Sequence, residues 1–326
     1  MHRSGAPMDV FLTGATGYIG GSVAHRLLRA GHRVTGLART PEKAAALGRL
    51  GVEPVLGTLE DRELLIERAR AADAVVNAAD SDHRGAVEAL VDALAGSGKP
   101  LLHTSGSSIV GTDSRGEASD EVFGEEILNE GSAWRPAADK RARVAIDRHV
   151  LAAADRAVRS VVLCNTMIYG HGRGLARDSV QIPALVRQAR RSGTVRRIGP
   201  GRNIWSNVHV DDMADLYLLA LEAAPAGSFY FVENGEASFA DLADAIAASL
   251  GSDRAEPWPI DAAIAEWGRE LAVFALGSNS RVRGERARTH LGWRPRALSA
   301  LEWIRSELAV PPAADRDAPS AETRGR

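Results

Sequence analysis

The sequence lacks the features of a disulfide-rich, membrane-spanning or nucleic-acid-binding protein. A single cysteine among 326 residues, Cys164, excludes an internal disulfide and a multi-cysteine metal site. No apolar run approaches the roughly 20 residues that a transmembrane helix requires, and the short polar segment 1–7 is unlike a signal peptide. The 40 basic and 42 acidic residues nearly cancel, to a net charge of -2, which provides no basic excess for binding phosphate backbones. We therefore expect a cytoplasmic protein with neither a membrane nor a nucleic-acid partner.

Lysine is scarce, and the usual metal-binding patterns do not occur. Lys43, Lys99 and Lys140 are the only lysines among the 40 basic residues, so chemistry that needs a lysine at one particular position has few candidates. No His-Glu-x-x-His or comparable spacing of metal ligands is found. The sequence therefore predicts no metal site.

The first half of the chain alternates short aliphatic strands with longer amphipathic helices. Between the first two strands, Ile19, Val23 and Leu27 recur at the spacing of one helical face, and Gly31 follows as a C-terminal stop. Strands separated by helices of this length predict right-handed crossovers and a parallel sheet covered on both faces, which is a doubly wound α/β fold. The predicted strands are 9–13, 34–37, 52–56, 74–77, 101–104 and 160–165.

The pattern changes after about residue 169, which predicts a second, smaller region that binds a small-molecule substrate. All six tryptophans lie at or after Trp134, and they either enclose an apolar ligand or fill a small core. Residues 210–221 and 229–232 are predicted to return to the parallel sheet. The predicted division is a first domain of 8–168 plus about 206–232, a substrate-binding region of 169–205 and 233–310, and a disordered tail of 311–326.

A glycine-rich turn between the first strand and the first helix is the sharpest signal of ligand binding. The segment Thr13-Gly-Ala-Thr-Gly-Tyr-Ile-Gly20 spaces its glycines as G-x-x-G-x-x-G. Glycine permits a tight turn and lets the backbone approach a pyrophosphate, whose charge then lies on the free N–H groups of a helix N-terminus. Because this turn lies between a strand and an amphipathic helix, we predict a dinucleotide here rather than an ordinary tight turn.

This turn and several other segments resemble the extended short-chain dehydrogenase/reductase family, also called the NAD-dependent epimerase/dehydratase family. The other similar segments are Gly57-Thr-Leu-Glu-Asp61, Asn77-Ala-Ala79, His103-Thr-Ser-Gly-Ser-Ser108, Ile168-Tyr-Gly170, Val208-His-Val-Asp-Asp212 and Leu291-Gly-Trp-Arg-Pro295. Together they extend over residues 8 to about 310. The resemblance implies a Rossmann fold with a smaller C-terminal substrate-binding domain. It places a nicotinamide dinucleotide against Gly14, Ala15, Thr16, Gly17, Tyr18, Ile19, Gly20, Thr58, Leu59, Ala78, Ala79, Asn165 and Ile168.

The end of the second strand favours NADP(H) over NAD(H). An NAD-specific fold carries an Asp or Glu about 20 residues past the glycines, where it accepts hydrogen bonds from the ribose hydroxyls. Here the sequence is Gly36-Leu-Ala-Arg-Thr40, without an acid. Arg39 offers a planar cation suited to a 2′-phosphate, with Lys43 one helical turn further on, although a solvated arginine is the alternative.

The family's catalytic pair, Tyr-x-x-x-Lys on a helix, is absent. Its lysine normally lowers the pKa of the tyrosine and makes proton transfer feasible. The corresponding helix spans 137–151, and Asp147 stands where the family commonly has a Glu. This alignment puts Arg143 at the lysine position and Asp139 at the tyrosine position. The residues four positions after the four tyrosines are Ser22, Arg173, Leu221 and Asn234.

These substitutions limit the possible proton donors. Arg143 can hold the nicotinamide ribose and supply positive charge, but a guanidinium does not give up its proton in the working pH range. Asp139 is an acid only if burial raises its pKa by several units. Each residue has a simpler alternative, a solvated side chain on a helix surface.

Two other groups lie near the predicted mouth of the site. The usual catalytic hydroxyl position falls on Gly106, and the flanking Ser105 and Ser107 either bond a substrate oxygen or only satisfy loop backbone groups. Tyr169 and His171, just after the next strand, are substitute donors by position, or half-buried loop aromatics.

Three functions fit these observations. The first is an NADP-dependent reductase of a carbonyl, imine or activated alkene, in which the cofactor supplies the hydride chemistry. The second is a non-redox epimerase, dehydratase or isomerase on the same fold, and the third is a non-catalytic NADP-binding regulator. Family members often pair through the helices that correspond to 83–95 and 137–156, so a homodimer is also expected.

Overall fold

A computed structural model describes residues 6–252 and 254–308, so the predicted tail at 311–326 lies outside the described residues. The strands are β1 Asp9–Thr13, β2 Arg33–Ala38, β3 Glu53–Leu56, β4 Ala74–Asn77, β5 Pro100–Gly106, β6 Phe123–Gly124, β7 Arg159–Asn165, β8 Met167–Tyr169, β9 Arg196–Ile198, β10 Ile204–His209, β11 Ser228–Val232, β12 Glu236–Ser238, β13 Glu256–Trp258 and β14 Val282–Arg283. The helices are α1 Tyr18–Arg29, α2 Pro41–Arg49, α3 Arg62–Ala71, α4 Arg84–Leu94, α5 Arg141–Ala152, α6 Gln181–Ser192, α7 Val210–Ala223, α8 Phe239–Ser249, α9 Ile260–Leu271, α10 Arg286–Leu291 and α11 Ala300–Leu308. None of these helices is both long and apolar enough to cross a membrane.

Seven parallel strands form the central sheet, in the order β11-β7-β5-β4-β1-β2-β3. Successive side chains of a strand point to opposite faces, and β1 shows the consequence. Val10 and Leu12 pack in the core that contains α1, α2 and α7, whereas Phe11 packs in the core that contains α3, α4 and α5. The predicted doubly wound α/β fold is confirmed.

A smaller region with its own core follows β7. It contains a three-stranded sheet, β12-β10-β8, and a two-stranded sheet, β13-β9. After α7 the chain returns to the central sheet as β11, which pairs with β7. Trp258, Trp267 and Trp303 pack against the core of the smaller region together with α6, α8 and α11. These three tryptophans therefore fill a core, which is the simpler of the two roles considered for them.

Glu125, in a short 3₁₀ turn after β6, ties the central sheet to α10. Its buried carboxylate accepts hydrogen bonds from the backbone N–H groups of Phe231, at 3.1 Å, and of Arg286, at 2.9 Å. The N–H of Glu285 donates to the same carboxylate at 3.2 Å. One side chain thus satisfies three backbone donors from two separate segments.

Replacing Glu125 by alanine is expected to lower the free energy of unfolding by about 3 kcal/mol, because buried N–H groups would lose their acceptor. Urea denaturation followed by circular dichroism would measure the loss. Glu130→Ala, at an exposed position five residues further on, is the control and should change stability by less than about 0.5 kcal/mol. Equal stabilities of the two variants would contradict this role of Glu125.

Candidate active site

Two clefts lie at the carboxyl ends of the parallel strands, where open α/β sheets bind their ligands. The first cleft, of about 420 Å³, lies over the ends of β5 and β7 and extends to Trp205 in the smaller region. The second, of about 600 Å³, lies over the ends of β2 and β3. Gly17, Ala78 and Ala79 line both clefts, so the two are joined at the glycine-rich turn.

The turn itself is shaped by the absence of side chains. Gly14 has a φ of +76°, and a Cβ there would lie 2.3 Å from the carbonyl oxygen of Ala78. A Cβ on Gly20 would lie 2.2 Å from the carbonyl oxygen of Gly14. Gly17 is the N-cap of α1 and offers no capping side chain, which leaves N–H groups of the first turn free. This close-packed cradle fits the diphosphate of a dinucleotide.

Most of the residues predicted to hold the cofactor line one of the clefts. Two of them do not, because they form the support beneath the turn. Ala15 is buried, and its Cβ packs close to Gly36 of β2, while Gly20 packs against the backbone of Gly14. The predicted cofactor residues that line a cleft are Gly14, Thr16, Gly17, Tyr18, Ile19, Arg39, Thr58, Leu59, Ala78, Ala79, Arg143, Asn165 and Ile168.

The second cleft combines an exposed cation with a loop held by an acid. Arg39 lines it, and no described residue pairs with the Arg39 guanidinium. Thr58 donates to the Asp61 carboxylate from both its backbone N–H, at 2.6 Å, and its hydroxyl, at 3.1 Å. Across the cleft, the His83 ring lies 2.8 Å from the Glu60 carboxylate, which raises the pKa of His83. The cleft therefore offers an exposed cation beside a wall held by hydrogen bonds.

Arg143 is the basic side chain that reaches the first cleft. Its Nε donates to the Asp82 carboxylate at 2.8 Å, and its Nη2 donates to the other oxygen of the same carboxylate. Its Nη1 donates to the Ser108 hydroxyl at 3.0 Å. These hydrogen bonds lower the pKa of Asp82, so the pair is ionised. Arg143 is thus held in the cleft as a fixed positive charge.

Ser105 and Ser107 both lie at the floor of the first cleft, with different partners. The Ser105 hydroxyl donates to the buried carboxylate of Asp147 at 2.8 Å. The Ser107 hydroxyl accepts a hydrogen bond from Ser280 at 2.8 Å, an interaction between the central domain and the smaller region. Ser108, which was not singled out from the sequence, is the partly exposed serine beside Arg143.

Asp139 and Tyr169 do not line either cleft, so neither is placed to donate a proton there. Asp139 is half-exposed and pairs with Lys140 at 2.9 Å, and this hydrogen bond lowers the pKa of Asp139, opposite to the shift that an acid would need. Tyr169 is buried and donates its hydroxyl to the carbonyl of Leu298. His171, the other substitute donor, lies 3.2 Å from the Glu307 carboxylate, also outside the clefts.

Several lining residues of the first cleft were not singled out individually from the sequence, although Trp205 is one of the six tryptophans considered for enclosing an apolar ligand. Trp205 comes from β10, and residues 178–181 come from the segment that leads into α6. Thr104 of β5 lies 2.8 Å from the hydroxyl of the buried Tyr217, which also accepts from Asn165 at 2.8 Å. These contacts join segments that are far apart in the chain, so local sequence patterns do not predict them.

Comparison with known proteins assigns the chain to a family. The model of the NAD dependent epimerase/dehydratase family matches residues 10–232. The chain belongs to this family. That membership confirms the resemblance drawn from the glycine-rich turn and the other segments.

Proteins similar in sequence to this chain include some that are named as oxidases or reductases. The chain is 36% identical to oxidase ucsJ of an Acremonium species, over 88% of this chain and 92% of that protein. It is 28% identical to a 4-hydroxy-2-methyl-3-oxo-4-farnesyl-3,4-dihydroquinoline-1-oxide ketoreductase of Stigmatella aurantiaca, over 88% and 92%. Among solved structures, dTDP-glucose 4,6-dehydratase from Bacillus anthracis in complex with NAD aligns with a TM-score of 0.72 at 17% identity, over 92% and 95%. The relatives thus include oxidases and reductases, and the structural likeness supports the Rossmann fold.

Proposed function

We propose that this protein is an NADP(H)-dependent reductase that acts on a small to medium, largely apolar substrate with a carbonyl, imine or activated alkene group. The observation that carries the proposal is the continuity of the two clefts through the glycine-rich turn. A dinucleotide lying along them would have its diphosphate at the N-terminus of α1 and its nicotinamide end near Arg143. When bound, this cofactor supplies the hydride.

The walls of the first cleft support an apolar substrate. Ile19, Ile168, Val180 and Trp205 contribute to the lining, and Arg143 is its only basic side chain among the described residues. Since Nε and Nη2 of Arg143 already donate to the Asp82 carboxylate, the guanidinium has few donors left for a substrate phosphate. The ketoreductase name of one relative favours a carbonyl group.

Two measurements test this function. Calorimetry measures the binding of NADPH, and an assay of NADPH oxidation then measures turnover with 3-oxo esters, cyclic imines and enones. We expect binding and turnover with at least one class, 3-oxo esters first. The absence of binding at millimolar cofactor would overturn the proposal. Binding without turnover of any compound would favour the alternative, a non-catalytic NADP-binding regulator, which the missing Tyr-x-x-x-Lys pair favours.

The preference for NADP(H) rests on Arg39, and Arg39→Ser tests it. A charge-assisted contact with a 2′-phosphate is worth roughly 2 kcal/mol, about 30-fold in Kd. We therefore expect Arg39→Ser to weaken NADPH binding about 30-fold and to leave NADH binding nearly unchanged. Arg49→Ser, at an exposed arginine near the end of α2, is the matched control. Equal losses for both cofactors would contradict the assignment.

We propose a cytoplasmic location, and a homodimer formed through α4 and α5, which pack side by side on one face of the sheet. Analytical ultracentrifugation would show whether two copies associate. A monomer at micromolar concentration would remove the dimer without affecting the proposed reaction.

A further inference from the structure

A buried polar cluster lies directly beneath the floor of the first cleft. Asp147 of α5 is fully buried, and its Oδ2 accepts the hydrogen bond of Ser105. Its Oδ1 has no hydrogen-bond partner among the described residues and lies 3.7 Å from Nε2 of His103, which is also buried and also lacks one. Since buried polar atoms are nearly always paired, these two facing atoms require an explanation.

The neighbours of His103 define which ring nitrogen carries its proton. Thr13 donates its hydroxyl to Oδ1 of Asn77 at 2.5 Å, which leaves the Asn77 amide N–H group to donate to Nδ1 of His103 at 3.1 Å. Nδ1 is therefore an acceptor, and the proton of neutral His103 lies on Nε2. Nε2 lies 3.7 Å from the unpaired Oδ1 of Asp147, which is too far for a hydrogen bond.

The surroundings of Asp147 favour its protonated form. Burial raises the pKa of Asp147 to about 7, although the hydrogen bond from Ser105 acts to lower it. Burial also lowers the pKa of His103 to about 4, so His103 supplies no compensating positive charge. The remaining polar groups that face Asp147 are Arg143, Asp82 and Cys164; Arg143 pairs with Asp82, and burial raises the pKa of the Cys164 thiol.

We propose that Asp147 is the proton source for carbonyl reduction and that Ser105, which lines the first cleft, passes its proton to the substrate oxygen. This inference rests on the proposed function. In this route the Ser105 hydroxyl lies next to position 106, where the family usually has its catalytic hydroxyl. The buried carboxylic acid of Asp147 takes the place of the missing tyrosine.

The proton transfer balances without any further reactant. As the carbonyl carbon accepts the hydride, the electron pair of the C=O π bond moves to the oxygen. With substrate bound, the Ser105 hydroxyl turns its hydrogen from Oδ2 of Asp147 to the substrate oxygen, and the protonated Oδ2 then donates to the Ser105 oxygen across the same 2.8 Å contact. The substrate oxygen takes the proton of Ser105, and Ser105 regains a proton from Oδ2 of Asp147. Asp147 is left as a carboxylate beside the Nε2–H of His103, and it recovers a proton from solvent by the same route after the product leaves. Ser105 is the catalytic residue, whereas Asp147 and His103 act through it.

The first test needs no substrate. Infrared spectroscopy of protein with ¹³C-labelled aspartate, compared with Asp147→Asn, should show a protonated carboxyl band of Asp147 below neutral pH that disappears near pH 7. Stability should follow the same titration. Because the folded pKa is raised, the stabilisation is complete below the unfolded pKa of about 4 and is lost as the pH rises through the folded value. As the pH rises from about 4 to about 7, the wild-type protein should therefore lose stability relative to Asp147→Asn.

The second test measures reduction of the carbonyl compound identified by the panel above. Ser105→Ala and Asp147→Asn should each lower kcat roughly 100-fold, as expected for loss of a positioned acid. The wild-type rate should fall as the pH rises through the titration of Asp147, and the residual rate of Asp147→Asn should lack that inflection. Reduction of an N-alkyl iminium ion, which needs no proton, should be unchanged in both variants. Ser160→Ala, a buried serine on β7 away from the cleft, is the control.

The outcomes separate this inference from the proposed function. An Asp147 that is ionised at pH 5, or a Ser105→Ala variant that reduces carbonyls at the wild-type rate, would overturn the proton route alone. A wild-type protein that binds NADPH but reduces no carbonyl would remove the reduction and the proton route together. A loss of iminium reduction equal to the loss of carbonyl reduction would assign the two residues a structural role instead.

Discussion

Replacing Gly14 by alanine is expected to weaken dinucleotide binding strongly. A non-glycine residue at its φ of +76° costs roughly 1–2 kcal/mol. The new Cβ would also lie 2.3 Å from the carbonyl oxygen of Ala78, a backbone atom that cannot rotate away. The turn would have to open and move the free N–H groups that follow Gly17. We expect the Kd for NADPH to rise at least about 100-fold, equivalent to about 2.8 kcal/mol, as measured by isothermal titration calorimetry.

Gly48→Ala is the matched control for this experiment. Gly48 lies in α2 with an ordinary helical backbone, and nothing lies within 4 Å of a Cβ built there. The control should bind NADPH as the wild type does, with stability unchanged or slightly higher. Thermal unfolding of the cofactor-free proteins separates a local effect from loss of the fold. A folded Gly14→Ala protein with wild-type affinity would contradict the diphosphate site.

Replacing Arg143 by alanine is expected to lower kcat/KM roughly 100-fold, the usual effect of losing one preorganised hydrogen-bond donor in an active site. Arg143 alone among the described lining residues brings positive charge into the first cleft, and its loss also leaves Ser108 without its donor. Arg143→Lys should recover part of the rate, because lysine keeps the charge and loses the planar bidentate contact with Asp82. Steady-state kinetics with the carbonyl substrate would measure both effects.

Arg148→Ala, an exposed arginine on the same helix, is the control for Arg143. A double-mutant cycle with Asp82→Asn then shows whether Asp82 acts through Arg143. We expect the two substitutions to be non-additive by more than about 1 kcal/mol, because the side chains are in direct contact. Activity of Arg143→Ala at the level of the control would exclude a catalytic role for the guanidinium.

The elements of the first half could be predicted because their signals are local. Strand 9–13 has the predicted bounds, and the strand predicted at 160–165 begins one residue earlier, at Arg159. Gly31 has the positive φ expected of a helix stop, +91°, and the side chain of Thr40, directly before Pro41, caps α2. In the smaller region, helix α9 ends at Leu271 and continues as a single π turn to Leu276. Periodicity along the chain carries no information on such a final turn.

The roles of the catalytic candidates could not be predicted in the same way. The sequence placed Asp139, Tyr169 and Ser105 near one strand end, yet the structure directs only Ser105 to the cleft floor. Asp139 faces Lys140, and Tyr169 bonds the backbone at Leu298, 129 residues away in the chain. Position along the chain predicts which end of the sheet a residue occupies, whereas side-chain direction depends on partners from distant segments.

The amino-acid sequence by itself determined the parallel sheet, the glycine cradle and the family, because strand alternation, helix periodicity and glycine spacing are properties of neighbouring residues. Tertiary structure alone decided that Asp82 holds Arg143, that Trp205 lines the first cleft, and that Oδ1 of Asp147 lies beneath Ser105 without a hydrogen-bond partner among the described residues. Those arrangements depend on burial and on contacts between distant segments. Burial sets the cost of a charge, and no residue's burial can be read from its neighbours in the chain.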